Sequence, residues 1–138
     1  METANILVVA KDRAIIEKLK NCFSPLGHQV IPAYDVSLGF FLAQKNYPDI
    51  ILCEPELKEG GAYDLFTEIQ SDPELLEIPF VVIDNTEESD FDQNAALEFG
   101  ISTVIKLESE EGFIISELLP LINQRISNKG KRQEYSPE

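Results

Sequence analysis

The chain is poor in cations: 11 lysines and arginines stand against 25 aspartates and glutamates, a formal net charge of −14 over 138 residues. Binding a phosphate backbone depends on Lys and Arg displacing counterions, so this balance argues against nucleic acid and anionic membrane surfaces. A protein partner, neutral or basic where it touches, fits better. Long apolar runs are also missing. No stretch approaches the roughly 20 residues a membrane-crossing helix needs. Met1, Glu2 and Thr3 show neither the basic region nor the apolar core of a signal peptide, and a cytoplasmic location is expected. The two cysteines, Cys22 and Cys53, are too few for a disulfide framework or a metal clip and stand among apolar neighbours, where a thiol behaves as a small hydrophobe. His28 is the only histidine, with no nucleophile pattern around it, and reads as an edge-strand residue rather than a catalyst. AKDRA, after the first apolar run, holds no glycine for a phosphate-cradling loop, which speaks against a flavin or nucleotide binder.

What the sequence does have is a regular alternation. Five short apolar runs (Ile6 to Ala10, His28 to Ala33, Asp49 to Cys53, Phe80 to Ile83, Thr103 to Leu107) are each followed by a segment of helical period. That pattern predicts one α/β domain with a parallel sheet covered by helices. ILVVA, IILC and FVVI are continuously apolar, as strands buried on both faces must be. The second run carries Pro32, which cannot donate to a ladder, and the fifth carries Ser102, Thr103 and Lys106; both suit sheet edges. Strand order 2-1-3-4-5 satisfies all five placements.

The first helix presents Ile15, Leu19, Cys22 and Phe23 on one face, and the second runs from Val36 to Asn46. The third carries Tyr63, Phe66 and Ile69, and the fourth Phe91, Ala95 and Phe99, with Glu87, Glu88, Asp90 and Asp92 near its start and Gly100 closing it. The fifth turns Phe113, Ile114, Leu118, Leu121 and Ile122 inward, with Pro120 expected to bend it. Residues 1–127 form the expected domain. Residues 128–138, with Lys129, Lys131 and Arg132 but almost nothing apolar, read as a flexible tail or the start of a linker.

Three strings, in the right order and spacing, make this chain resemble a response-regulator receiver (CheY-like) domain. They are PDIILCE (Pro48 to Glu54), YDLFTEIQSDPELLEIPFVVI (Tyr63 to Ile83) and AALEFG (Ala95 to Gly100). The resemblance spans Ile6 to about Ile126 and implies a flavodoxin-like doubly wound (βα)5 fold with its site at the carboxyl ends of the strands. It also implies a two-component signalling role. In that family, two acids after the first strand hold Mg²⁺, an aspartate ending the third strand accepts a phosphoryl group, a hydroxyl residue ends the fourth, and a lysine ends the fifth.

Against that pattern the pocket is atypical. Ala10 and Lys11 stand where the acidic pair belongs, with Asp12 one place later, so weak or absent Mg²⁺ binding is expected. Mg²⁺ demands oxygen ligands, and an ammonium about 4 Å from a single positive charge already costs roughly 4 kcal/mol at an effective dielectric near 20. Glu54 occupies the acceptor position with one extra methylene, and misplacement by about 1 Å can cost a hundredfold in rate. Asp84 replaces the hydroxyl. Counting from Gly100, Leu107 falls at the lysine position and Lys106 one residue early, on the opposite face unless the preceding turn is shortened.

The resemblance therefore implies a pseudo-receiver with no enzymatic activity, acting by contact with a histidine kinase, an output domain or a second copy. The alternative is a receiver that still accepts a phosphoryl group. Two readings of Lys11 are open: its amine bridges Glu54 and Asp84 in place of the metal, or it points to water. Glu54 also reads as a partial mimic of a phosphorylated aspartate. Phe40 and Phe41, with Phe91 and Phe113, are candidates for a partner surface, the competing reading of Phe40 and Phe41 being core packing.

Overall fold

A computed structural model describes residues 3–84, 91–106 and 110–134, with side chains described as far as residue 128. Five parallel strands form one sheet in the order β2-β1-β3-β4-β5. They are β1 (Asn5–Val9), β2 (Gln29–Ala33), β3 (Ile50–Cys53), β4 (Phe80–Asp84) and β5 (Thr103–Lys106), and between and after them run α1 (Arg13–Phe23), α2 (Val36–Asn46), α3 (Ala62–Gln70), α4 (Gln93–Phe99) and α5 (Glu111–Glu134). This is the flavodoxin-like arrangement expected from the alternation of apolar runs.

The period of two in each strand sorts the apolar side chains onto two faces. Ile6, Val8, Ile50, Leu52, Val81 and Ile83 meet Ile15, Leu19 and Phe23 of α1 and Ile114, Leu118 and Ile122 of α5. Leu7, Val9, Ile51, Cys53, Phe80 and Val82 meet Ala43 of α2, Leu65, Phe66 and Ile69 of α3 and Ala96 of α4. The three central strands are buried on both sides, which explains their unbroken apolar runs. β2 and β5 keep partly exposed residues because each has a neighbour on one side only. Gly39 lets α2 lie close on the sheet, since a Cβ there would come within 3.1 Å of Val9.

Two expectations need correction. Ala95 is exposed and Phe99 is 51% exposed, while Ala96 is fully buried. The helix starts only at Gln93, with the Asp92 carboxylate capping the Ala95 N–H at 3.1 Å, and this turns Ala96 inward. Phe113 sits in the first turn of α5 and is 50% exposed, not inward. Helix α5 runs past residue 128 and continues to Glu134. Pro120 lies within that helix, where it lacks the N–H that would reach Ser116. Of the acidic residues expected at the start of α4, Glu87, Glu88 and Asp90 lie outside the described residues.

His28 does more than sit near an edge strand. It is 8% exposed, its Nδ1 accepts the Ala4 N–H at 3.0 Å, and its ring tilts against Phe23. The histidine thereby pins the start of β1 to the α1–β2 connection.

Candidate functional site

At the carboxyl ends of β1, β3, β4 and β5 the chain places Ala10, Glu54, Asp84 and Lys106. Ala10 is fully buried and brings only a methyl group. Glu54 follows directly on β3 and is 1% exposed. Its Oε1 accepts two backbone N–H groups from the β1–α1 loop, Lys11 at 2.8 Å and Asp12 at 3.2 Å. The extra methylene of glutamate thus carries the carboxylate onto the neighbouring loop, where it acts as an anchor. Asp12 in turn spends its own carboxylate on the cap of α1, accepting the Ala14 N–H at 2.9 Å.

Burial pushes the Glu54 carboxyl above the usual range; the N–H groups of Asp12 and Lys11 and the charge of Lys11 pull the other way, and Asp12 adds to the rise. Desolvation wins. Next to it, the Cys53 thiol is fully buried, is pushed upward by the same burial, and donates to the Glu54 carbonyl at 3.2 Å. That thiol is a structural filler, as its apolar setting in the sequence suggested.

The second charge group is the pair Asp84–Lys106. Lys106 Nζ lies 2.8 Å from Asp84 Oδ2, the aspartate side chain has no exposure and the lysine 30%. Register explains the contact. Gly100 ends α4 at φ 119°, Ile101 N–H returns to the Ala96 carbonyl, and Ser102 N–H already reaches Phe80 O at 2.9 Å. Thr103 therefore pairs with Val81, and Asp84 stands directly beside Lys106. The shortened turn puts Lys106 in place, and Leu107 lies outside the described residues.

Lys11 behaves differently from the bridging expectation. Its side chain is 46% exposed and its amine sits 4.0 Å from Glu56 Oε2, itself 83% exposed. Such an exposed pair is worth at most about 1 kcal/mol. The cation on Asp84 is Lys106, and the hydrogen bond from Lys11 to Glu54 comes from its backbone. Glu56 is carried by the β3–α3 loop, whose tight return depends on Gly61: a Cβ there would lie 2.4 Å from the Pro55 carbonyl oxygen. The site keeps the strand-end carboxylates but gives each a partner from within the chain. No group of three or more His, Cys, Asp or Glu suited to a metal is gathered among the described residues.

The four aromatic candidates for a partner surface separate. Phe40 and Phe91 are partly buried against the α2–α3–α4 face, and Phe91 stacks on Tyr63 with ring centroids 6.0 Å apart. Phe41 is 56% exposed with Lys45 over its ring, and Phe113 is 50% exposed. Those two stand on helices that cover opposite faces of the sheet, so they do not build one patch. The sequence reading passed over Leu97, which is 50% exposed on α4 beside Phe99. Phe99 packs edge-on to Tyr63 at 4.9 Å. The signal was present in the spacing of Leu97 and Phe99, because a seven-residue helix with Ala96 inward cannot bury both.

No protein-family profile matches the chain, and no curated protein matches it. Similarity to solved structures is extensive. The signal receiver domain of a signal transduction histidine kinase from Syntrophus aciditrophicus is 21% identical, with a TM-score of 0.77 over 88% of this chain and 91% of that one. A CheY-like response regulator receiver domain protein from Methanospirillum hungatei is 14% identical, with a TM-score of 0.78 over 92% and 99%. The receiver domain of a sensor histidine kinase from Pseudomonas aeruginosa, with a magnesium ion coordinated in its active-site cleft, is 17% identical, with a TM-score of 0.78 over 88% and 99%. The chain has the fold of response-regulator receiver domains.

Proposed function

We propose that this chain is an atypical receiver module of two-component signalling, a pseudo-receiver that works by protein contact and not by Mg²⁺-dependent phosphorylation. One observation carries the reading: both strand-end carboxylates are engaged inside the chain, Glu54 by the N–H groups of Lys11 and Asp12 and Asp84 by Lys106. A phosphoryl-accepting carboxylate has to approach a metal and an incoming phosphorus atom in line, and one tied to a loop by two N–H groups must first give them up. The metal fares no better. Ala10 brings no side-chain oxygen, Asp12 is committed to a helix cap, and the ammonium of Lys11 opposes a divalent cation.

On this reading Glu54 holds the β1–α1 loop in one arrangement, and the domain presents one signalling surface. The half-exposed Leu97 and Phe99 on α4 give that surface apolar contacts, and the net charge favours a neutral or basic protein partner, such as a histidine kinase or an output domain. Lys106 at the end of β5 is the feature that favours the other reading, a receiver still open to a phosphodonor.

Adding Mg²⁺ with beryllofluoride while following backbone amide resonances distinguishes the two. The amides of Lys11, Asp12, Glu54 and Lys106 are expected to stay where they are. Saturable, Mg²⁺-dependent movement of those four resonances would show that the pocket opens to the acyl-phosphate analogue.

A further inference from the structure

From Glu59 to Ile105 the chain holds twelve aspartates and glutamates and no lysine, arginine or histidine. That segment builds α3, β4 and α4, so the two helices bring only negative charge to the face they share. Across the same face runs a connected row of rings. Phe91 stacks on Tyr63 at 6.0 Å, Tyr63 meets Phe99 edge-on at 4.9 Å, and Phe99 tilts against Phe66 at 5.6 Å. Phe66 in turn lines a cleft together with Leu76. Phe99 is 51% and Leu76 48% exposed, and Tyr63 and Phe91 are partly exposed. Single apolar side chains in water are ordinary, but a connected row of them marks a contact surface. Glu68 of α3 and Glu98 of α4 are exposed and form no ion pair among the described residues.

We propose that the α3–α4 face docks a basic amphipathic helix of a partner protein. The inference rests on the reading of the chain as a contact module and names the chemistry of its partner. The rings and Leu76 take the apolar stripe of such a helix, and Glu68 and Glu98 meet lysines and arginines beside the stripe. Charge complementarity of this kind steers encounter and rejects other occupants. A second copy of the chain would set the same carboxylates against each other, and nucleic acid and anionic membranes are repelled. A helix is the form that fits. The row lies on helices, and β3 and β4 beneath them are paired on both sides, so the face offers no strand edge for an extended peptide to join. A helix arrives with its backbone already hydrogen-bonded and asks only for side-chain contacts.

The test is an amide-resonance titration of the full chain with a peptide of about 18 residues, roughly five helical turns, carrying a leucine stripe on a lysine background. The same composition scrambled to remove the stripe, and a leucine stripe on a glutamate background, serve as controls. The striped lysine peptide is expected to move the resonances of Thr67, Leu76, Phe91 and Phe99 saturably and to leave Lys11 and Asp12 in place. The scrambled peptide should bind roughly tenfold or more weakly, and the glutamate peptide should move none of them. Phe99→Ser, and separately Glu68→Lys with Glu98→Lys, should each weaken the striped peptide by roughly tenfold or more. Phe113→Ser, which removes a half-exposed ring from the opposite face, should leave the response unchanged. If Phe99→Ser does not fold, the two charge reversals decide, since both side chains are exposed. No response to the striped peptide, an equal response to the scrambled one, binding that survives the charge reversals, or a concentration-dependent dimer that Phe99→Ser abolishes would each overturn the docking proposal. The reading on which it rests fails by a different sign, a Mg²⁺ and beryllofluoride response at Lys11 and Glu54.

Discussion

Replacing Lys106 by alanine is expected to lower the unfolding free energy by about 1.5–3 kcal/mol, a substantial part of the roughly 5–15 kcal/mol that holds a typical domain together. The size follows from the asymmetry of the pair. Asp84 has a side chain with no exposure, so removing the ammonium 2.8 Å away takes a charge-assisted hydrogen bond from a buried carboxylate. The reverse substitution, Asp84→Asn, should cost less, because Lys106 is 30% exposed and its amine can swing outward. Changing both, as Asp84→Leu with Lys106→Met, should recover most of the Lys106→Ala loss, since well-packed apolar residues replace a buried ion pair at little cost. Urea denaturation of the four variants at neutral pH closes the cycle. A deficit within about 0.5 kcal/mol at neutral pH would mean that the pair contributes no more than a surface contact.

Glu54 carries the second large effect, and its sign depends on the substitution. Glu54→Ala leaves the N–H groups of Lys11 and Asp12 without their acceptor and opens space in a buried site, a loss of about 2–3 kcal/mol. Glu54→Gln keeps an acceptor oxygen and removes the charge that burial opposes. Because burial holds the folded-state pKa of Glu54 above its unfolded value, the folded protein binds the proton more tightly than the unfolded chain. The contribution of Glu54 to stability is therefore fully present below the unfolded value of about 4.3 and declines as pH rises through the folded value. Relative to the natural chain, Glu54→Gln should gain stability between about pH 4 and pH 7. Thermal unfolding of both proteins at the two pH values measures this, and a gap moving the other way would mean that the two N–H bonds outweigh desolvation.

The fold was legible because it rests on features that short stretches of sequence carry. Three unbroken apolar runs needed burial on both faces, Pro32 needed an edge, and helical periods separated the runs, which left little choice of strand order. The strand-end positions of Ala10, Glu54, Asp84 and Lys106 were legible on the same basis, since each follows or closes a recognisable strand. Their pairing was not. Lys106 depended on the length of one turn, and a tight return from Gly100 through Ser102 moved the register by the single residue that decides which face the side chain takes. A buried acid at the end of β4 did call for a cation, and Lys106 was the nearest on an adjacent strand; that requirement was a better guide than counting. Lys11 misled because the spacing placed it correctly while the contribution came from its backbone. Backbone donors have no signature in residue identity.

On the proposed reading the pocket is satisfied from within and does not take up a phosphoryl group. Its most direct test is the intact mass of the full chain after incubation with acetyl phosphate, with and without Mg²⁺, alongside a receiver domain known to accept the group. An unchanged mass under both conditions, while the control gains one phosphoryl group, is what this account predicts; a Mg²⁺-dependent gain of one phosphoryl group on Glu54 would contradict it.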